Sequence, residues 1–224
     1  MNTPIPVLTI DGPSGSGKGT VSRAVAQKLG WHFLDSGAIY RSLAIAVLRA
    51  GIPVENVDEI VALAENMNLS FTTDDPPEVL LNGQDIAGEI GSETCGNAAS
   101  RIAAFGPVRQ ALLEKQRSFR RPPGLVADGR DMGTVVFQDA GYKVFLTASA
   151  EVRALRRYKQ LKDKGLDVNL INLTREIEER DRRDLERKEA PLVMAKDAVR
   201  IDSSDLDIQQ VIERVFGVVA SPTG

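Results

Sequence analysis

An α/β fold built on a parallel central sheet follows from three observations. The run PVLTID near the N-terminus is β-branched and apolar on both faces, as a strand covered on each side should be. A glycine-rich loop, GPSGSGKGT (Gly12 to Thr20), follows it and leads into the helix-patterned TVSRAVAQKLG. WHFLD and SGAIYRSLAIAVLRAG then repeat strand and helix. Strand, loop, helix, strand, helix is the opening of a parallel sheet, whose neighbouring strands need crossover connections.

The remaining elements can be read in order. Gly30 stops the first helix; Ser36 is the expected N-cap of the second and Gly51 its terminator. From about Val54 to Gly91 the character changes. The helix VDEIVALAENM leads to NLSFTTDD and PPEVLLNGQDI, and the pair Asn82-Gly83 signals a hairpin turn. We expect a small insertion with short antiparallel strands over residues 52–92, inside a single domain spanning 1–224. SETCGNAASRIAAFG and PVRQALLEKQRSFRR are helices, the second opened by Pro107. GLVADGRD and YKVFLTAS are strands. AEVRALRRYKQLKDKG and NLTREIEERDRRDLERKEA are highly charged helices, and DAVRIDSS with IQQVIERVFGVV forms a last strand and helix. There is no internal repeat and no low-complexity segment.

Composition excludes several classes. The 224 residues are 42% hydrophobic and 26% charged, ordinary values for a globular domain able to bury its own core. A net charge of −3 provides no basic field, so nucleic acid is not an expected partner and any anion site must be built locally. Cys95 is the single cysteine and His32 the single histidine. Far apart, they make no disulfide framework, zinc site or Cys–His pair, and are read as structural residues, Cys95 buried and His32 at a strand start. No apolar run is long enough to cross a bilayer, and the N-terminal stretch lacks a secretion pattern. The expected protein is a soluble, cytoplasmic monomer.

The chemistry gathers at the glycine loop. G-x-x-x-x-G-K between a buried strand and a helix is a phosphate-binding loop, or P-loop: its amides wrap a polyphosphate at the helix N-terminus. Gly12, Pro13, Ser14, Gly15, Ser16 and Gly17 form the cradle, and Lys18 pairs with the β- and γ-phosphates. Gly19 occupies the slot where a hydroxyl is usual, and Thr20, one residue on, can still offer its hydroxyl to a phosphate. Asp128 ends an apolar strand, where P-loop proteins keep an acid near Mg²⁺; without the usual hydroxyl the metal relies more on water and on Asp128. Arg41 lies one turn into the second helix, and Arg130 follows Asp128. Arg180, Asp184 and Arg187, spaced i, i+4, i+7, share a helix face, with Arg183 beside them. One loop holds one nucleotide, so the additional arginines suggest a second phosphate-bearing substrate.

GPSGSGKGT resembles the loop of nucleoside monophosphate kinases, where G-K-G-T is common, so Gly19 reads as a family trait. DSGAIYR, NAAS…PVR, ADGRDMGTVVF and ERDRRD together resemble the bacterial-type cytidylate kinases, over nearly the whole chain. The resemblance implies a P-loop three-layer fold with a small inserted monophosphate-binding subdomain and a short lid near residues 156–170. It implies ATP with Mg²⁺ as donor and CMP or dCMP as acceptor. Ser36, Gly37 and Arg41 would sit at the monophosphate, and Ser100, Arg109 and Asp131 would read the cytosine edge. Arg130 and Arg180 would hold phosphate, Asp184 and Arg187 would reach ribose or base, and Arg156 and Arg157, opening the charged helix, would lie near ATP. The lid contains no cysteine, so a zinc-bearing lid is excluded. The rival readings are a kinase of UMP, AMP or shikimate, and a nucleotide-dependent switch. Against the switch, no guanine-reading N-K-x-D segment is present, the nearest stretch being Ala195-Lys196-Asp197.

Overall fold

The structure, a computed structural model, describes residues 4–71, 79–163 and 165–220. The chain divides into two compact units, residues 1–34 with 117–224 and residues 35–116.

The first unit is organised by β1 (Val7–Asp11), which is buried along its whole length. Its parallel neighbours are β6 (Leu125–Gly129) and β7 (Tyr142–Thr147), and β8 (Val199–Asp202) lies parallel to β7. With β2 (His32–Asp35) at the edge beside β6, the five strands run β2-β6-β1-β7-β8. Between β1 and β2 the chain forms α1 (Lys18–Leu29), closed by Gly30 at φ 65°, the left-handed C-cap expected of glycine. One core joins Leu8, Ile10, Val126, Val144 and Leu146 of the sheet to Val21 and Val25 of α1 and to Val211 and Val215 of α9 (Ile208–Ala220). The both-faces apolar pattern of PVLTID is thus the pattern of the central strand, buried at every residue. The charged helices are α7 (Ala150–Asp163) and α8 (Leu170–Glu186), packed against each other; Asn169 caps α8 by accepting from the amides of Ile171 and Asn172. A π-helical turn, Met132–Val136, follows β6.

In the second unit α2 (Ser36–Arg49) packs against α5 (Glu93–Ile102). Cys95, Gly96, Ala98 and Ala99 are buried on α5, and side chains this small let the two helices approach closely. α3 (Val57–Asn66) and the short α4 (Ala87–Ile90) pack on α2, and α6 (Gly106–Arg117) ends the unit. β3 (Leu69–Phe71), β4 (Val79–Leu81) and β5 (Gln84–Asp85) form the expected antiparallel sheet. Asn82 and Gly83 both take positive φ, 50° and 78°, as a two-residue hairpin turn requires. The part of the expected insertion at 72–78, and Lys164 in the expected lid, lie outside the described residues.

Two details differ from the sequence reading. The N-cap of α2 is Asp35, whose carboxylate accepts from the amide of Ala38 at 2.9 Å. Ser36 is instead the first helical residue, and its buried hydroxyl donates to Gln116 Oε1 at 2.7 Å. Asp and Ser cap almost equally well, and here the side chain with extended backbone takes the role. Arg156 and Arg157 do not open α7; they lie midway along it, because the helix already begins at Ala150. Cys95 is buried, and His32 begins β2, as expected.

Leu8 is fully buried in the central strand, so Leu8→Ala leaves a cavity that the flanking strands cannot close. It should cost about 2–5 kcal/mol with an unchanged urea m-value in equilibrium unfolding.

Candidate active site

The loop between β1 and α1 is held by contacts only glycine permits. A Cβ on Gly12 would fall 1.9 Å from the carbonyl oxygen of Leu146, and Gly15 and Gly17 adopt φ 79° and 93°. Gly17 is also the N-cap of α1 and supplies no side-chain cap, so the first amides of the helix have no side-chain acceptor there, an end at which an anion is favoured. Lys18, almost wholly buried, donates to the carbonyl of Pro13 at 2.9 Å. Burial and the neighbouring Arg130 charge push its pKa down from 10.5, against the opposing pull of Asp128 and Asp11. A Cβ at Gly19 would lie 3.4 Å from Asp128 Oδ2, so the residue in the usual hydroxyl slot faces the acid assigned to the metal.

Beside the loop is a cavity of about 430 Å³ lined by Gly15, Gly17, Thr20, Arg157, Gln160 and Leu206, among others. Arg156 braces it: its guanidinium donates to Ser203 Oγ at 3.0 Å and Ser203 O at 2.6 Å, and Ser203 Oγ lies 3.1 Å from the carbonyl of Ser16. Arg153, which sequence reasoning did not single out, donates to the carbonyls of Ala148 and Ser14 at 2.9 and 3.1 Å and to Asp181 Oδ2 at 2.6 Å. Arg153 thus ties the loop to α8. In the sequence it looks like any charge on a charged helix.

Several predicted residues meet within this unit. Arg130 donates through Nε to Asp184 Oδ2 at 2.9 Å, and both are largely removed from solvent. Burial pulls the Asp184 pKa up, but the charges of Arg130 and Arg180 outweigh it and leave the carboxyl below its ordinary 3.8. Arg130 and Arg180 also act on Lys18, so Lys18, Asp128, Arg130, Arg180 and Asp184 form one electrostatic cluster. Arg180 and Asp184 share a face of α8 as their spacing requires. Arg187 does not continue it: it is the C-cap, where ψ turns to 138°, and its guanidinium lies 3.7 Å from Asp131 Oδ1. The helix ends at Glu186, one residue short of the third position in the spacing.

Arg41, Ser100 and Arg109 belong to the second unit. Arg41 Nη1 donates to the carbonyl of Ile90 at 2.7 Å, and Arg109 stacks 5.7 Å above the ring of Tyr40 while donating to Ala103 O at 3.3 Å. The Ser100 hydroxyl is buried with no hydrogen-bond partner, an arrangement that invites a ligand. Gly37 is exposed, one residue beyond the buried Ser36.

A cytidylate kinase family model matches residues 8–221. The chain belongs to the cytidylate kinase family. It is 65% identical to the cytidylate kinase of Methylococcus capsulatus, over 99% of this chain and all of that one. The cytidylate kinase of Klebsiella pneumoniae is 56% identical over 96% of each chain. That of Shewanella sp. strain MR-4 is 55% identical over 98% of this chain and 96% of its own. Family membership removes the nucleotide-dependent switch and the shikimate kinase as readings. As a cytidylate kinase the chain takes its phosphoryl group from a nucleotide donor. No helix among the described residues is long and apolar enough to cross a membrane.

Removing Asp184 strands the charge of Arg130 in a place water scarcely reaches, so Asp184→Ala should cost about 3–5 kcal/mol at neutral pH. Because the folded pKa of Asp184 is depressed, its contribution is present above pH 3.8 and lost as pH falls through the lower folded value. Urea unfolding of both proteins across the acid range should therefore show the difference narrowing only below that pH.

Proposed function

We propose the following assignment of roles to a protein that transfers the γ-phosphoryl group of ATP to CMP or dCMP. An oxygen of the acceptor monophosphate attacks the γ-phosphorus, the bond to the β–γ bridging oxygen breaks, and ADP leaves with that electron pair. No general base is needed, because a phosphate oxygen is already a nucleophile. The observation that carries the donor half is the glycine loop, with the start of α1 lacking a side-chain cap and Lys18 buried beneath. The loop amides and Lys18 hold the triphosphate, and Arg156 and Arg157 flank the cavity that suits the nucleoside.

Arg41, Arg130 and Arg180 neutralise the acceptor phosphate as it meets a second anion. Ser36 and Gly37 lie at the same phosphate, and Asp184 and Arg187 serve the ribose side, Asp184 partly through its grip on Arg130. Ser100, Arg109 and Asp131 read the base: cytosine offers an amino donor at N4 with acceptors at N3 and O2, which an acid and an arginine match. Uracil reverses the pattern, with an acceptor, O4, at position 4 and a donor at N3, and such a buried mismatch costs about 1–3 kcal/mol. The partnerless hydroxyl of Ser100 supports that role. The insertion over residues 52–92 belongs to the monophosphate-binding side, and the segment 156–170 acts as the lid. The protein works in the cytoplasm as a monomer.

Mg²⁺ fits the residues present. Among the described residues no group of three or more acidic, His or Cys side chains could cage a metal. Asp128 and the hydroxyl of Thr20, an exposed residue, would hold it, a sparse oxygen set of the kind that suits a hard cation retaining most of its waters. When bound, Mg²⁺ supplies charge neutralisation between the phosphates.

A coupled assay with Mg·ATP and CMP, dCMP, UMP, AMP or GMP tests the reading. CMP and dCMP should be fast and UMP slow, and Asp131→Asn should lower kcat/KM for CMP about 10-fold or more while narrowing the gap to UMP. Equal use of UMP by the unaltered protein would remove the base-reading roles. A second expectation concerns Lys18: arriving phosphates restore the pKa that burial lowered, so nucleotide binding takes up a proton near pH 8–9. Calorimetry in buffers of different ionisation enthalpy should show that uptake, and Lys18→Met should abolish it.

A further inference from the structure

Asp11, the last residue of β1, is a buried carboxylate that the mechanism above does not use. Its two oxygens accept from two consecutive amides far along the chain: Oδ1 from Met132 and Oδ2 from Gly133, each at 2.8 Å. Those amides open the π-helical turn Met132–Val136, closed by Phe137 N donating to Met132 O at 2.7 Å. The N-cap of that turn is Asp131, yet Asp131 makes no side-chain cap bond.

That combination is unusual chemistry. An aspartate at an N-cap ordinarily turns its carboxylate back onto the amides two and three residues on. Here Asp11 already occupies one of those two amides, that of Gly133, together with that of Met132 before it, and the Asp131 carboxylate is directed elsewhere, with Oδ1 3.7 Å from Arg187 Nη2. The approach is built for: a Cβ on Gly133 would stand 2.8 Å from Thr9 Oγ1 and 3.4 Å from Asp11 Oδ2. The arrangement also has a cost, since burial raises the Asp11 pKa to about 6, although the two amides pull it down.

We propose that Asp11 is a positioning residue for base selection: by capping the turn in place of Asp131, it keeps the Asp131 carboxylate aimed at the substrate base. This rests on the assignment of Asp131 as a base reader. Asp11→Asn keeps the shape but presents an NH₂ group to one of the two amides. With the NH₂ on the Oδ2 side, the amide released is that of Gly133, which draws Asp131 back into the ordinary capping role, and the acid assigned to distinguish cytosine from uracil is withdrawn.

The test is a double-mutant cycle on the ratio of kcat/KM for CMP to that for UMP, which does not depend on the fraction of folded enzyme. Asp11→Asn should lower the ratio about 10-fold, and should lower it little further when Asp131→Asn is already present. A ratio unchanged by Asp11→Asn, while Asp131→Asn lowers it, overturns the proposal alone. Full additivity of the two changes also overturns it, because Asp11 would then act by another route. A ratio unchanged by Asp131→Asn overturns the base-reading role itself, and the proposal with it. If Asp11→Asn does not fold, Gly133→Ala replaces it in the same cycle, since the added methyl displaces the amide while leaving both carboxylates intact.

Discussion

Burying cations in a chain of net charge −3 requires acids placed among them, and the placing of each acid decides what its cation can do. In the unit built on the parallel sheet, Arg130 is held by Asp184, Arg153 by Asp181, and Arg187 lies beside Asp131. Lys18 feels the charges of both Asp128 and Asp11, while its ammonium is tied to the backbone carbonyl of Pro13. An arginine so paired is fixed before any phosphate arrives. Its desolvation is offset by its acid, and little reorganisation remains for the moment of transfer.

The two kinds of cation consequently behave differently. The guanidinium groups keep their charge whatever binds, because arginine does not deprotonate in proteins and Asp184 pulls Arg130 further that way. Lys18 is the exception: burial and the Arg130 charge lower its proton affinity, and two acids only partly restore it. On the proposed role, its full charge is completed by the phosphates of the donor. The same crowding that weakens Lys18 in the free protein makes its pairing with an anion stronger, since little water is left to compete.

What could be read in the sequence, and what could not, divides by range. The glycine loop, the Gly30 stop and the Asn82-Gly83 turn are local: each depends on backbone angles that a few residue types supply. The burial of β1 was legible because apolar residues on both faces leave few alternatives. Asp11 and Arg153 were not legible, because the partners that give them their roles lie far along the chain: Met132 is 121 residues from Asp11, and Asp181 and Ser14 are 28 and 139 residues from Arg153. Asp35 and Ser36 are adjacent and both able to cap, so only the backbone angle separates them. Arg187 looked helical by spacing, but a helix end is set by where its carbonyls find other partners; the Asp184 carbonyl accepts from the amide of Leu192.

The residues that never touch a substrate set the geometry of those that do. Ile10 stands level with Asp128 and Asp11 with Gly129 in the β1–β6 pairing. A slip of one residue would carry β6 about 3.3 Å along β1 and turn each of its side chains to the opposite face. Asp128 would leave Gly19, and the amides of Met132 and Gly133 would leave Asp11. Such a slip is opposed by Leu125 and Val126, fully buried at the start of β6, and by the amide of Leu125 donating to the carbonyl of Pro6 at 3.0 Å. It is opposed again at Gly124, where an added Cβ would fall 2.4 Å from the ring of Trp31, so the chain fits there only in its native register. The spacing between the glycine loop and the turn at Met132–Val136 is therefore enforced by apolar packing at the far ends of the two strands, and on the proposed roles changes there should reach base selectivity without altering any group assigned to a nucleotide.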